Sequence, residues 1–392
     1  MAALHGQILL LLAYLPVACL LRRRPPAFAV VNLVASLALF GVLARPRAAP
    51  GLMVLYIGLV LALYAAIFYL APQQQDGPRR GLLATVAPLL LPFCLPLLAR
   101  ATPVETGLSL AFVGASYQAF RLSALAVAVQ GGEPPPPLWR FLGFAFFLPT
   151  LAIGPISGYR RHLEGQGEAP PPWTAIGRVL VGACKLLLLA PVFLGLSYPR
   201  LLALPRPYGV LELLLAILCY PVYLYAEFSG ACDIIIGGAA LVGVPVAENF
   251  NAPFAARNVK DFWNRWHCTL SEWTRDLIFY PVSREILRRW PAAPDLAIIA
   301  GILCVFLAIG VWHGPRAHYL AFGLWHAAGV IANHLYTNAL RRRLGAQGLR
   351  AYLQRPWLTR LMTAATFLYV AAGFALFAND VGQLATLWRG LR

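Results

Sequence analysis

Leu296 to Trp312 runs without a single charged side chain, and so do Ala27 to Ala44 and Gly51 to Ala71. Each comes close to the roughly 20 apolar residues that carry a helix across a bilayer. Composition agrees: of 392 residues 60% are hydrophobic and 12% charged, about half the charge of a soluble domain. The expected fold is all-α and polytopic, with roughly ten to twelve transmembrane passages forming one integral-membrane domain over residues 1–392. The net charge of +17 comes almost wholly from Arg, since Lys185 and Lys260 are the only lysines. That balance points to anionic lipid heads at the bilayer surface or to docking of an acidic protein; no nucleic acid partner is expected.

In chain order, Gln7 to Leu21 is a first apolar run followed at once by Arg22, Arg23 and Arg24. A signal peptide carries its positive charge ahead of the apolar run. A retained span is therefore expected, with the Arg cluster in the cytoplasm and the N-terminus outside. Pro72 to Arg80 reads as a polar loop, and Gly81 to Ala99, with three prolines, as a kinked span. Gly107 to Val129 holds Arg121 inside an apolar run, where a guanidinium needs a partner or a cavity. Phe141 to Ile156 is broken by Pro149, Gly154 and Pro155. Trp173 to Tyr198, interrupted by Lys185, and Tyr208 to Tyr225 lead to the centre of the chain; Leu296 to Trp312, Tyr319 to Tyr336 and Trp357 to Phe377 follow it. Arg341, Arg342 and Arg343 are expected inside by the positive-inside rule.

The centre, Tyr225 to Tyr280, is where the ionisable residues collect, among them Glu227, Asp233, Glu248, Asp261, Arg265, His267 and Arg275. From Val259 to Leu277, Trp263, Trp266, Leu270, Trp273 and Leu277 step by three and four, the pattern of one helix face. Asn264, His267, Ser271 and Arg275 step alike on a neighbouring face, and Asn258 is placed to cap the start with Asp261 three residues on. This predicts one amphipathic helix presenting His267 beside Asn264 and Ser271. The same pattern fits an interfacial helix with Trp anchors and snorkelling Arg.

Three of the seven histidines directly follow Trp: His267 after Trp266, His313 after Trp312, His326 after Trp325. His313 ends an apolar run and precedes Gly314 and Pro315, a helix stop. It is expected at a broken helix end, where unpaired backbone and a cavity go together. An imidazole is the natural base for a hydroxyl proton. For His326, as for His5, His162, His318 and His334, a core or interfacial histidine bonded to a carbonyl is the simpler expectation. The seven cysteines show no CxxC spacing and HExxH is missing, so no metal site is expected. No GxSxG elbow or phosphate-cradling loop occurs, and Gly237–Gly238 reads as close helix packing.

The order FSGACDIIIGGAALVGVPVAENFNAPFAARNVKDFWNRWH, then TLSEWTRDLIFYPV, VWHG and FGLWHAAG, resembles the membrane-bound O-acyltransferase (MBOAT) family. The upstream ASYQAFR and LPTLAIGPISGYRRH extend the resemblance to residues 115–334, the motif-bearing catalytic core. The match is to its bacterial branch, which D-alanylates teichoic acid or O-acetylates alginate. The resemblance implies a ring of helices around a funnel or tunnel that reaches a catalytic histidine. His313 matches the catalytic position and His267 the second essential one, with Trp263, Trp266 and Trp312 beside them. It implies no bound cofactor. The acyl donor would be a phosphopantetheine thioester on a small acidic carrier protein at the cytoplasmic face, or acyl-CoA. The acceptor would be an extracytoplasmic polymer or partner enzyme. WHAAG departs from the HG pair common in relatives, so no catalytic role passes to His326.

The expected activity is O-acyl transfer in the bacterial inner (plasma) membrane: a D-alanyl or acetyl group moves from a thioester to a hydroxyl. His313 would act as base, and His267 would orient the acyl group or hydrogen-bond the oxyanion. A transporter or flippase shares the broken helices and midplane charges, and a scaffold of a glycan-export complex is a third reading.

Overall fold

A computed structural model describes residues 2–44, 49–70, 85–90, 108–151, 153–164, 170–314 and 316–391. Among them the chain is helical, with two isolated bridges and no strand. The expected loop Pro72 to Arg80 and the kinked span Gly81 to Ala99, apart from residues 85–90, lie outside the described residues. Four of the described helices are long and apolar enough to cross a membrane: Pro172–Gly195, Val210–Leu241, Pro294–His313 and Pro356–Ala378. Their outward faces are apolar, with Leu187, Leu188, Leu211, Val311, Leu361 and Leu368 exposed, which is the surface that lipid covers.

Contacts divide the chain into two compact units, Met1–Ala183 with Ala231–Glu248, and Cys184–Gly230 with Asn249–Arg392. The first contains α1 (Ala2–Leu21), α2 (Pro25–Ala44), α3 (Ala49–Leu70), α4 (Leu108–Gln130), α5 (Leu138–Ala145) and α6 (Tyr159–Glu164). It also holds the start of α7 (Pro172–Gly195). Its apolar centre gathers Tyr56, Val60, Leu122, Phe141, Phe144 and Phe146. The broken span is as expected: α5 stops at Ala145, a short 3-10 turn covers Leu148–Thr150, and Gly154 takes φ 127°.

Arg121 finds its partners here. It donates to the Phe144 carbonyl and lies 4.4 Å above the Phe144 ring, so a cation is held by a carbonyl and an aromatic face. Beside it Gln118 accepts from the Tyr56 hydroxyl and donates to the Ala145 carbonyl at 2.9 Å. His162, buried, packs edge-on against Phe144 and Phe147.

Two acids of the central stretch are also accounted for in this unit. Arg178 bonds Asp233 at 3.0 and 3.1 Å and both oxygens of Glu248 at 2.5 Å. These partners lie 55 and 70 residues away, so these two acids of the stretch belong to a structural clamp. Arg178→Gln should lower stability by about 1–3 kcal/mol, the cost of leaving charged partners poorly satisfied. The measurement is thermal melting in detergent, and an unchanged melting point would remove the clamp. Gly237 explains itself by space: a Cβ there would stand 2.7 Å from both the Ala175 carbonyl oxygen and Val179 Cγ2, the close helix packing expected of this pair.

The second unit holds the rest of α7 and α8 (Tyr198–Ala203), then α9 (Val210–Leu241) as far as Gly230, α10 (Val259–Arg265) and α11 (Cys268–Thr274). α12 (Tyr280–Arg289), α13 (Pro294–His313), α14 (Ala317–Leu353), α15 (Pro356–Ala378) and α16 (Val381–Gly390) complete it. α9 corrects one boundary: the helix expected to end near Tyr225 continues through the polar stretch to Leu241. α14 also outruns its expected end at Tyr336, bends at Gly345, and is not one of the four membrane-crossing candidates. α13 packs on α14 and α14 on α15. Small residues permit it: a Cβ on Gly310 would meet the Tyr319 carbonyl oxygen at 2.7 Å. Trp325 Nε1 donates to the Tyr369 carbonyl at 3.0 Å, and the Tyr369 hydroxyl returns a bond to the Trp325 carbonyl at 2.5 Å.

Candidate active site

The amphipathic helix expected over Val259 to Leu277 is broken, and the break is at His267. α10 runs Val259–Arg265 and α11 starts at Cys268; between them Trp266 is extended (φ −101°, ψ 125°) and His267 is left-handed (φ 46°, ψ 53°). The cause lies upstream. The segment from Asn249 to Asn251 runs antiparallel to this turn: Asn251 N–H donates to the Arg265 carbonyl at 2.9 Å, and Cys268 N–H to the Asn249 carbonyl at 3.0 Å. Those bonds take the backbone groups that would have continued the helix. Asn258 caps α10 as expected, accepting from Asp261 N–H at 2.8 Å. Arg265 pairs with Asp261 at 2.8 Å, a holding contact.

The break changes His267's neighbours. Asn264 is exposed and stands apart from the imidazole, because the two residues no longer share a helix face. Ser271 donates to the Trp263 carbonyl at 2.7 Å, so it ties α11 to α10. The partners His267 does have were not singled out in the sequence. Its Nδ1 lies 3.0 Å from Asn249 Oδ1, and its ring sits edge-on to Phe228 at 4.9 Å. Thr269 Oγ1 donates to the same oxygen at 2.9 Å. Asn249, Thr269 and His267 are all buried, at 1%, 3% and 5% exposure. The signal was present in the ENF segment, a buried asparagine that a membrane chain keeps only with partners.

His313 is the last residue of α13, and Gly314 follows at φ 142°. The helix stop expected from Gly314 is there; Pro315 lies outside the described residues. The partly exposed His313 ring is edged by Phe377 at 4.8 Å and Phe322 at 6.1 Å, with Trp312 at 4.6 Å and Tyr319 at 5.8 Å. A groove of about 410 Å³, lined by Arg316, His318 and Asp380 among others, lies at the turn just after it.

The two histidines lie in the same compact unit although α11 and α12 lie between them in sequence. His267 lies outside the four membrane-crossing candidates. Burial holds it below the ordinary imidazole range, at about 3, and the nearby His313 pushes the same way. His267 is therefore neutral.

Trp263 and Trp266 build an aromatic wall in the same unit. Trp263 packs on Phe306 at 5.3 Å, His326 at 5.0 Å and Phe322 at 6.2 Å. Trp266 stacks on Phe262 at 5.5 Å and contacts Phe374 at 5.2 Å. α10 thereby reaches both α14 and α15. His326 is fully buried in this wall, and neither ring nitrogen has a hydrogen-bond partner among the described residues. The carbonyl expected to hold it is not among its neighbours; Phe322, Trp263 and Phe374 are. His334 instead follows the structural expectation in kind, bonded to Asp295 at 2.9 Å. Among the described residues no three His, Cys, Asp or Glu side chains gather as a metal site would require.

Comparison with known proteins identifies the family. The model of the membrane-bound O-acyltransferase family matches residues 120–365. Teichoic acid D-alanyltransferase of Bacillus subtilis (strain 168) is 28% identical over 315 residues, covering 76% of this chain and 77% of that protein. The probable alginate O-acetylase AlgI of Pseudomonas aeruginosa is 26% identical over 283 residues, 71% of this chain and 50% of that protein. Peptidoglycan O-acetyltransferase of Helicobacter pylori is 31% identical over a shorter 125 residues, 32% of this chain and 23% of that protein. With the family model spanning more than half of the sequence and enclosing both histidines, the chain belongs to the membrane-bound O-acyltransferase family and is an O-acyltransferase.

Proposed function

We propose that the protein moves a small acyl group, D-alanyl or acetyl, from a cytoplasmic thioester to a hydroxyl of an extracytoplasmic cell-envelope polymer. It would do so as a multi-pass protein of the bacterial plasma membrane, with roughly ten to twelve passages around a central tunnel. The observation that carries the reading is His313 at the end of α13, in the same unit as a buried His267 held by Asn249. The relatives are named for teichoic acid, alginate and peptidoglycan, which supports a cell-surface polymer as acceptor.

In the proposed step an imidazole nitrogen of His313 takes the hydroxyl proton while the oxygen attacks the thioester carbonyl. The C–O bond forms, the tetrahedral intermediate collapses by breaking C–S, and the thiolate leaves with the proton from His313. The products are an ester and a thiol, and the histidine is restored. Positioned base catalysis of this kind contributes about two to four orders of magnitude. Exclusion of water by the Trp263, Trp266, Phe322 and Phe374 wall favours transfer over hydrolysis. The thioester arm would enter by the groove at Arg316, carried by a small acidic protein or by coenzyme A. Charge complementarity would make the carrier encounter salt-sensitive.

The test is reconstitution in proteoliposomes with acetyl and D-alanyl thioesters, on coenzyme A and on carrier protein, followed by mass spectrometry of the polymer esters. Ester from one thioester and none from the free acid is the expected result; no ester from any of them, with folded protein, would defeat the reading. The direction has its own check. With Arg22–Arg24 and Arg341–Arg343 cytoplasmic, a cysteine at position 23 in a cysteine-free background should resist impermeant label in intact cells. Labelling from outside would reverse the topology.

A further inference from the structure

We infer that Asn249 locks His267 in one neutral tautomer, proton on Nδ1 and lone pair on Nε2, so that His267 meets the reaction as a hydrogen-bond acceptor and not as an oxyanion donor. The chemical meaning rests on the transfer reading above; the tautomer does not.

The deduction starts from a group whose role is fixed. The backbone N–H of Thr269 can only donate, and it points at the Asn249 side-chain atom assigned as Oδ1, 3.4 Å away. Thr269 Oγ1 lies 2.9 Å from the same atom. An amide nitrogen there would set donor against donor, so the atom is the oxygen. An amide oxygen only accepts. His267 Nδ1, 3.0 Å from that oxygen, must therefore be the donor and carry the proton. A neutral imidazole has one N–H, which leaves the lone pair on Nε2.

Burial keeps the ring from gaining the second proton, and His313, the titratable group felt by His267, opposes it as well. In its resting state His267 thus has no N–H to aim at an oxyanion. It accepts a hydrogen bond from an O–H or N–H of the substrate, which orients that group for the chemistry at His313.

The surrounding construction fits a positioning role. His267 sits in the left-handed region, which costs a non-glycine residue of order 1–3 kcal/mol and is met mainly where function demands it. The segment that forces this turn by pairing with residues 265–268 is also the one that brings Asn249 to the ring. One local device therefore sets both where the imidazole stands and which nitrogen carries its proton. Asn249 acts through His267, as a positioning residue.

Nitrogen NMR on protein labelled at histidine, reconstituted in nanodiscs, reads the tautomer directly; subtracting the spectrum of His267→Gln assigns the signal. The expected pair is a protonated, pyrrole-type Nδ1 and an unprotonated, pyridine-type Nε2. The reverse pair, or an imidazolium at neutral pH, overturns the inference. Two variants test the function. Asn249→Ala should lower kcat at least about tenfold, as loss of an outer-sphere partner or of the right tautomer does elsewhere, with KM for the thioester nearly unchanged. Asn249→Asp keeps the accepting oxygen and should retain the Nδ1–H signal and most of the activity. Equal loss in both, or no loss in Asn249→Ala, overturns the positioning role. If the wild-type protein transfers no acyl group from any thioester, the transfer reading fails, and the NMR result still decides the tautomer.

Discussion

His313→Ala should lose acyl transfer by about two to four orders of magnitude, the usual worth of a positioned general base, while melting within a few degrees of the wild type. The split between function and stability follows from where the residue sits. His313 ends α13 and is partly exposed. Removing its ring forfeits edge contacts with Phe377 and Phe322 but leaves no helix hydrogen bond unmade. The contrast is His334→Ala in the same unit. That ring donates to Asp295 at 2.9 Å, on the oxygen that also accepts from Asn338 at 3.2 Å, so its loss should lower the melting point and leave transfer near normal. The measurement is a reconstituted thioester assay beside a detergent melt. Wild-type transfer by His313→Ala would take the base away from this residue and leave His267 to be tested in its place.

The parts of this site that were legible in the sequence are those set by neighbouring residues. Apolar length gave α13 and α15 nearly to their ends, because a helix in lipid has no competing use for its backbone. Gly314 marked where α13 stops, and Asn258 marked where α10 starts. The isolated Arg121 announced that a partner had to exist, and the Phe144 carbonyl and ring supply it.

What was illegible is set by residues far away in the chain. The period of three and four through Trp263, Trp266 and Leu270 reads as one helix, and nothing between Arg265 and Cys268 is a helix breaker. The break is imposed by Asn249 to Asn251, whose bonds to Arg265 and Cys268 outweigh local propensity. Once that turn forms, Asn264 and Ser271 lose their place beside His267, and Asn249 and Thr269 gain it. The acids Asp233 and Glu248 were illegible in a similar way: they stood out in the centre of the chain, and their partner Arg178 lies outside that stretch altogether. The resemblance located the two histidines; it gave no geometry between them.

Gly323→Ala should cut transfer by at least about tenfold with little loss of protein from the membrane, because the α13–α14 crossing aims His313. A Cβ on Gly323 would stand 2.4 Å from the Phe306 carbonyl oxygen and 3.2 Å from its carbon. That obstacle is backbone, so it cannot swing aside as a side chain would; α13 must move off α14. Overpacking of this kind costs about 1–3 kcal/mol, which a bundle of several packed helices can absorb. The chemistry tolerates less. Phe306 lies two turns before His313 on α13, while Phe322, the residue beside Gly323, touches both His313 and Trp263. A shift of about 1 Å between helices is enough to cost roughly 100-fold in a reaction that depends on alignment. The control is Gly58→Ala on α3, where a Cβ meets nothing within 4 Å and alanine should leave both folding and transfer unchanged. Assaying the two variants side by side separates a geometric effect from the general consequence of replacing a membrane glycine. Equal activity in both would mean that His313 is positioned by its own end of the helix, through Tyr319 and Phe377, and not by the crossing.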